Sequence, residues 1–139
     1  PHVPLWLGGG GARSLARAVE LGDGWIPMVG SADELRRGVA WIREQLAARG
    51  RDPASFDFSF GVSVGEPDPQ RERARSHAAG KELDEQRPPS SPAEIIERIG
   101  RLAEIGFGNL SLSFAWRTES DFRKQLDALA KTVLPAFSR

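Results

Sequence analysis

The sequence of 139 residues contains no cysteine. Without cysteine the chain can form no disulfide, no thiolate metal site and no thiol nucleophile. Histidine is scarce as well, because only His2 and His77 are present and they lie too far apart to have the spacing of metal ligands. We therefore expect no bound metal.

Net charge is also lacking, since 19 Lys and Arg residues balance 19 Asp and Glu residues. A protein that binds nucleic acid usually clusters an excess of basic residues on one face, so we expect no nucleic-acid partner. No apolar run approaches the ~20 residues of a membrane span, and no signal-peptide pattern is present. We expect a cytoplasmic protein without a membrane segment.

Four amphipathic helices are indicated by apolar residues at helical spacing. Their predicted stripes are Ala12, Leu15, Ala16 and Val19; Leu35, Val39, Ile42 and Leu46; Ile95, Ile99 and Leu102; and Phe122, Leu126, Leu129 and Val133. Capping patterns at Ser31–Glu34 and Ser91–Glu94 predict the starts of the second and third helices, and the fourth begins near Thr118. The predicted stops are Gly22 (as the C′ residue), Gly50, Gly106 and Pro135.

A strand candidate precedes each helix. These strands are Val3–Leu7, Gly24–Val29, Phe56–Val64 and Asn109–Phe114. Alternating strands and helices predict a parallel sheet with right-handed crossovers. The last two strands alternate large apolar residues with small polar ones, whereas strands of an open doubly wound sheet are continuously apolar. The alternation fits a half-exposed sheet as well as a barrel, and the strict β/α order favours the barrel.

A complete (β/α)8 barrel needs roughly 250 residues, so residues 1–139 predict a single half-barrel domain. Residues 66–89 interrupt the pattern, because they are rich in Arg, Glu, Gln and Pro and have only a weak apolar stripe. We expect a polar, mobile excursion there. In a barrel it would lie at the carboxyl ends of the strands, where active sites are built. A lid and a solvated insertion are both open, and the insertion is the simpler interpretation.

The strongest local motif joins the first strand to the first helix through four glycines, Gly8–Gly11. Glycine lets a ligand approach the backbone, and a helix N-terminus attracts phosphate. Arg13 adds a fork-shaped donor. The loop lacks the Gly-Lys-Ser/Thr of a Walker motif and the spacing of a dinucleotide fingerprint. On this motif alone, a phosphate site and a tight turn that needs glycine for its geometry are equally open.

The segment PLWLGGGGARSLARAVELGDGWIP resembles the luciferase-like oxidoreductases, in which a strand, a Gly-Gly loop, a helix and a Gly-Asp-Gly-Trp/Phe strand follow one another. SADELRRGVAWIREQLAARGRDPASFDFSF resembles the next helix, Gly-Arg-Asp-Pro turn and seventh strand of that family. SSPAEIIERIGRLAEIGFGNLSLSF, followed by VLPAF, resembles its last β/α unit. The resemblance covers nearly the whole chain except the polar excursion. It implies an α/β fold that is the C-terminal, parallel (β/α)4 half of a TIM (β/α)8 barrel.

The resemblance also implies a cofactor, either coenzyme F420 or FMN. F420 is favoured because the glycine segment and the Gly-Arg-Asp-Pro turn look most like the F420-dependent members. The cofactor phosphate would lie on Gly8, Gly9, Gly10, Gly11, Ala12 and Arg13. The family places the Gly24–Pro27 segment near that pocket, where Trp25 either lines the pocket or, as we favour, packs in the barrel. Asp23 either orients the turn or is a plain turn residue.

The catalytic residues are unknown, because the family draws much of its catalytic equipment from the first half of the barrel. The chain shows no Ser/His/Asp set and no convincing acid–base pair. Two functions remain open: the C-terminal part of an F420- or FMN-dependent oxidoreductase or monooxygenase, or a non-catalytic assembly module. The module would pair with itself, for example as a homodimer, to cover its sheet edges. An open sheet with a generic anion site is a third interpretation. A start just before Val3 is expected of a fragment whose missing N-terminal half would be its partner.

Weaker candidates are Trp116 and Arg117, Glu66 and Asp68, Trp6, His77 and His2. Trp116 and Arg117 follow the last strand. They lie either at the rim where barrels bind substrates or in a solvated loop. The carboxylate pair is flanked by prolines that indicate a turn. The first tryptophan either points inward beside the glycine loop or fills the core. We expect His77 to be exposed and the terminal His2 to be disordered.

Overall fold

The computed structural model describes residues 2–65 and 88–138. Its strands and helices are, in chain order, β1 (Trp6–Gly8), α1 (Ala12–Leu21), β2 (Gly24–Ile26), α2 (Ala32–Ala48), β3 (Asp57–Val64), α3 (Pro92–Ile105), β4 (Asn109–Phe114) and α4 (Glu119–Thr132). Short 3₁₀ turns cover Pro53–Ser55 and Leu134–Phe137. The predicted alternation of strands and helices is confirmed. The predicted excursion at 66–89 lies outside the described residues, apart from its last two prolines.

The four strands form one parallel sheet in the order β1-β2-β3-β4. Trp6 is opposite Gly24 in the register, and Trp25 is opposite Phe58. An open doubly wound sheet reverses its strand order at a switch point. No reversal occurs among the four described strands, because every pair of neighbours in the sheet is also consecutive along the chain. This order is that of a barrel rather than that of a doubly wound sheet.

The residues group into two compact units, which are described separately. The first unit comprises Pro1–Gly61 and Arg101–Ser111, and the second comprises Val62–Gly100 and Leu112–Arg139. β3, α3 and β4 each contribute residues to both units. Because the units divide these elements rather than separate stretches of chain, the prediction of a single domain stays a prediction.

The core of the first unit forms on the side of the sheet that faces the helices. Trp25 and Phe107 lie at its centre, with ring centroids 5.9 Å apart. Phe58 meets Phe107 edge-on at 6.5 Å, and the guanidinium of Arg43 lies 5.3 Å above the Phe58 ring. Phe58 of β3 therefore faces the helices, as the alternation in that strand predicted.

The inner face of the sheet carries small and polar residues. In the first unit, Asp57 accepts hydrogen bonds from Trp6 Nε1 at 3.2 Å and from Asn109 Nδ2 at 3.3 Å. In the second unit, the hydroxyls of Ser63 and Ser113 lie 3.2 Å apart. The predicted small, polar face is therefore confirmed in each unit.

The second unit buries only part of the apolar stripe predicted for its last helix. Leu129 and Val133 are buried, but Phe122 is 36% exposed and Leu126 is 42% exposed. The prediction that the whole stripe is buried is therefore wrong. In a barrel each outer helix has a helix on both sides. Within the described residues of the second unit, α3 and α4 line one cleft together, and the face of α4 that carries Phe122 and Leu126 is left exposed.

The predicted starts and stops of the middle helices are confirmed. Ser31 Oγ accepts from the Glu34 amide at 3.4 Å, and the Glu34 carboxylate accepts from the Ser31 amide at 2.8 Å, which is a complete capping box. The same reciprocal bonds form within Ser91–Glu94. Gly50 and Gly106 end their helices with φ values of 68° and 114°, in the region that favours glycine.

The first helix departs from its prediction at its end and on its buried face. Gly22 has a φ of −101°, so the left-handed stop predicted there is wrong. Glycine is needed at this position for space, because a β-carbon would lie 2.6 Å from Leu7 Cδ1. The buried residues are Ala18 and Val19, whereas Ala16 is exposed. The packing against β1 therefore turns the helix away from its predicted stripe.

The first two strands are shorter than predicted. β1 begins at Trp6, and the preceding Val3 and Leu5 are 79% and 55% exposed. β2 ends at Ile26 because Pro27, which follows it, has no amide to donate to a ladder. Both strands are therefore three residues long, and β1 leads directly into the glycine loop.

Candidate functional site

The glycine loop has one strained position and one open side. Gly9 has a φ of 101°, and a β-carbon there would lie 2.5 Å from Ser14 Oγ. A β-carbon at Gly10 would approach no atom closer than 4.0 Å, and one at Gly11 would meet nothing within 4 Å. Gly9 is therefore required by the turn, whereas a side chain at either of the last two glycines would meet no close neighbour.

The start of α1 offers unpartnered donors beside these two glycines. Gly11 is the N-cap residue, and no side chain forms a cap hydrogen bond there. Its carbonyl accepts from the amides of Ser14 at 2.8 Å and Leu15 at 3.1 Å. Within residues 2–65 and 88–138 the amides of Gly10 and Gly11 donate no hydrogen bond. Free amides at a helix start, together with the positive end of the helix dipole, attract an anion.

The charges around this helix start are also suited to an anion. The first turn of α1 contains no acidic residue. Ala12 and Arg13 are exposed, and Arg13 forms no ion pair with any other described residue. Its guanidinium is therefore available to a phosphate as a bidentate donor.

Trp25 is joined to the loop although its ring is buried. Its Nε1 donates to the Gly9 carbonyl over 2.7 Å. The side chain is 2% exposed, and a β-carbon at Gly38 would lie 2.6 Å from the ring. The ring therefore packs in the core, as favoured from the sequence. The structure adds a hydrogen bond from that ring to the loop.

Asp23 holds the segment that leads into β1. Its Oδ2 accepts from the Leu5 amide at 2.9 Å and lies 2.9 Å from His2 Nε2. The hydrogen bond to His2, followed by that from the Leu5 amide, lowers the pKa of the Asp23 carboxyl below its ordinary value. Of the two interpretations, Asp23 orients the turn. The Asp23 carboxylate gives the ring of His2 a partner, while the predicted disorder of this terminal residue stays a prediction.

Two residues that support the elements beside the loop were not predicted from the sequence. Arg51 donates from Nη1 to the Val19 carbonyl and from Nη2 to the Gly22 carbonyl at 2.8 Å, so it satisfies the carboxyl end of α1. Gly38 makes room for Trp25 inside α2. A glycine within a helix costs roughly 1 kcal/mol relative to alanine, and this cost was the available sequence signal for a close approach at Gly38.

The remaining candidates take no part in the loop. Trp6 faces the inner side of the sheet and is 42% exposed, so it does not fill the core. Trp116 belongs to the second unit, where it is 59% exposed and its ring centroid lies 6.0 Å from that of Phe122. Arg117 is exposed. The predictions for Glu66, Asp68 and His77 fall outside the described residues.

The second unit contains a cleft of about 180 Å³ between the ends of β3 and β4 and the helices α3 and α4. Its walls are Val64, Gly65, Ser90, Pro92, Ile95, Phe114, Gln125, Ala128, Leu129, Thr132 and Val133. None of these residues is charged. The cleft therefore offers an anion no charged partner, and its donors Ser90, Gln125 and Thr132 are already bonded to Glu94, Ala115 and Ala128.

The described part of the chain offers neither a cluster of metal ligands nor a membrane-spanning helix. No group of three or more His, Cys, Asp or Glu residues in it is arranged to hold a metal ion. None of its helices combines the length and apolar character that crossing a membrane requires.

Comparison with known proteins gives a family and a fold. The family model described as luciferase-like monooxygenase matches residues 1–132. A comparison with curated protein sequences gives no match.

Three solved structures share the fold. An F420-dependent secondary alcohol dehydrogenase in complex with an F420–acetone adduct has a TM-score of 0.77 and 16% identity, over 100% of this chain and 50% of that chain. The monooxygenase RslO1 from Streptomyces bottropensis has a TM-score of 0.73 and 18% identity, over 99% and 49%. The coenzyme F420-dependent tetrahydromethanopterin reductase from Methanopyrus kandleri has a TM-score of 0.67 and 17% identity, over 98% and 51%. The chain spans about half the length of these structures, and the predicted half of a TIM barrel is confirmed.

Proposed function

Because the chain belongs to the luciferase-like monooxygenase family, we propose that it is the C-terminal half of a flavin- or deazaflavin-dependent oxidoreductase whose glycine loop binds the cofactor phosphate. The observation that carries the proposal is the pair of unpartnered amides, of Gly10 and Gly11, at an uncapped helix start without acidic residues. We favour F420 over FMN, since two of the three compared structures are named for F420.

The residues present fit a phosphate group. The open space beside Gly10 and Gly11 admits it without a steric conflict, and the backbone amides and Arg13 supply donors of the required charge. In this proposal Gly8, Gly9, Gly10, Gly11, Ala12 and Arg13 hold the phosphate. When bound, the cofactor supplies the hydride chemistry. The chain's own residues bind and orient its phosphate end.

The exposed apolar residues support a partner for the sheet and for the last helix. In the first unit, Val3 and Leu5 precede the edge strand β1 and are 79% and 55% exposed. In the second unit, Trp116 and Leu126 are 59% and 42% exposed. An uncovered parallel edge is a site for further strand pairing. We propose that an N-terminal half-barrel covers these residues, and the alternative is a second copy of this chain.

The binding proposal can be tested with pairs of compounds in which only one member carries the phosphate. FMN is compared with riboflavin, and F420 with its phosphate-free deazaflavin chromophore, by titration of the complete gene product with calorimetric and fluorescence detection. We expect at least about tenfold tighter binding of the phosphorylated member for one pair, because charge-assisted hydrogen bonds contribute about 1.5–3 kcal/mol. Binding of neither pair would refute the proposal.

A matched pair of variants at Gly11 isolates the charge of the site. Gly11 has a φ of −81°, and a β-carbon there meets nothing, so both Gly11→Asp and Gly11→Asn are accommodated and both are good N-caps. We expect Gly11→Asp to bind the phosphorylated cofactor at least about tenfold more weakly than Gly11→Asn, because only aspartate repels the phosphate. Equal affinities of the two variants would place the phosphate elsewhere.

Light scattering distinguishes the proposed partners. If an N-terminal half-barrel covers the exposed residues, the complete gene product contains both halves. Removal of the N-terminal half then exposes apolar surface, which a hydrophobic dye detects. If a second copy covers them, the 139-residue chain scatters as a dimer. A well-folded monomer of this chain at low concentration would refute self-association.

A further inference from the structure

The indole of Trp25 makes a directed contact with the backbone of the glycine loop. Its Nε1 donates to the Gly9 carbonyl oxygen at 2.7 Å, although the side chain is 2% exposed. A buried indole N–H without an acceptor costs about 1–3 kcal/mol. The Gly9 carbonyl meets this need, so the position of the loop and the packing of the ring depend on each other.

The bond fixes the direction of the neighbouring amide. The Gly9 carbonyl and the Gly10 N–H belong to one planar trans peptide, in which the C=O and N–H groups point in opposite directions. Because the carbonyl is held toward Trp25, the Gly10 N–H is turned away from the indole. That amide donates no hydrogen bond among the described residues. The indole therefore holds a free donor in a fixed orientation.

The ring itself is held rigidly from two sides. A β-carbon at Gly38 would lie 2.6 Å from the ring, so the backbone of α2 lies against one part of the indole. Phe107 packs on it with a centroid distance of 5.9 Å and an interplanar angle of 30°. Gly9 is restrained as well, since its φ is 101° and a β-carbon there would lie 2.5 Å from Ser14 Oγ. The orientation of the loop peptide is thus coupled to the core.

We infer that Trp25 is a positioning residue for phosphate binding: it never touches the ligand, and it preorganises the Gly10 amide through the Gly9 carbonyl. The inference rests on the proposed binding of a cofactor phosphate by the loop. A donor fixed before binding loses less conformational freedom when the ligand arrives, which raises affinity. The benefit is specific to the phosphate, because the amide faces that group and not the ring system of the cofactor.

The test compares Trp25→Phe with Trp41→Phe in the complete gene product. Both variants remove an indole N–H from the chain, but Trp41 is a half-buried residue of α2 without a bond to the loop. Dissociation constants for FMN and riboflavin, and for F420 and its phosphate-free chromophore, are measured by calorimetry. We expect Trp25→Phe to bind the phosphorylated member about 3- to 10-fold more weakly, and to leave the affinity for the phosphate-free member unchanged. Trp41→Phe should change neither.

If Trp25→Phe does not fold, benzothienylalanine is introduced at position 25, because it keeps the bicyclic shape and lacks the N–H. The same loss of phosphate discrimination is expected. An equal loss of affinity for both members of a pair would mean that Trp25 acts only on stability and would overturn the inference. So would unchanged discrimination in the folded variant. Failure of the unmodified protein to prefer the phosphorylated cofactor is a different outcome, because it refutes the proposed function itself.

Discussion

The glycine-loop region, from β1 to α2, and the β4–α4 region use their tryptophans differently. Trp25 is 2% exposed, with its ring packed on Phe107 and its N–H bonded to the Gly9 carbonyl. Trp116 is 59% exposed and has a ring contact with Phe122. The first region satisfies its largest side chain with residues of this chain, whereas the second leaves large apolar side chains exposed.

The helices of the two regions show the same difference. The apolar stripe of α2 is buried throughout, since Leu35 is its most exposed member at 4%. Along α4 the exposure falls from 36% at Phe122 and 42% at Leu126 to 9% at Leu129 and 1% at Val133. The two stripes have similar spacing in the sequence. A helical pattern therefore predicts which face is apolar, but tertiary packing decides how much of that face is buried.

The largest expected effect tests the contrast between the two tryptophans. Trp25→Ala should destabilise the chain by about 3–5 kcal/mol, because it leaves a cavity beside Phe107 and removes the bond to Gly9. Trp116→Ala should change the free energy of unfolding by less than about 1 kcal/mol, since an exposed side chain is lost. Urea denaturation of both variants measures the difference. Similar losses for the two variants would contradict the contrast.

A smaller effect is expected from a pair of leucines on α4. Leu129→Ala should cost about 2–4 kcal/mol, and Leu126→Ala less than about 1 kcal/mol in the 139-residue chain, because Leu126 is 42% exposed. If another half-barrel covers this face, Leu126→Ala should become as costly as Leu129→Ala in the complete gene product. Thermal unfolding of both variants in both backgrounds measures this change. A low cost for Leu126→Ala in both would show that the face stays uncovered.

These pairs also show how far the sequence predicts the fold. The order of strands and helices, the capping boxes of α2 and α3 and the small inner face follow from local signals, namely periodicity, side-chain caps and alternation. The predictions that fail concern features that depend on tertiary contacts. Gly22 is glycine because Leu7 lies against it, and Phe122 and Leu126 are exposed although their spacing matches that of the buried stripe of α2. Neither fact is encoded within one turn of sequence.

The glycine loop of the candidate site was predictable from the sequence, but the tertiary contacts that support the loop and its neighbouring elements were not. Four glycines before a helix indicate an anion site or a tight turn, and the structure shows features of both, with strain at Gly9 and open space at Gly11. The supporting contacts of Arg51 and Trp25 span 29 to 32 residues and 16 residues of chain, respectively. Such separations are set by how the helices pack on the sheet, and a local motif does not specify them.

The smallest expected effect concerns the turn that leads into the glycine-loop region, and it appears as a dependence on pH. His2 and the Leu5 amide lower the pKa of Asp23 from its ordinary value of 3.8. A carboxyl with a lowered pKa in the folded state contributes stability that is present above its unfolded pKa and is lost as the pH falls through the folded pKa. The loss should therefore occur below about pH 4 and be absent in Asp23→Asn.

Carboxyl chemical shifts in an NMR titration measure the Asp23 pKa directly. In His2→Ala it should rise toward the ordinary value and remain below it, because the Leu5 amide still donates. A carboxyl that titrates at its ordinary value with His2 present would show that the turn is held by its backbone bonds alone.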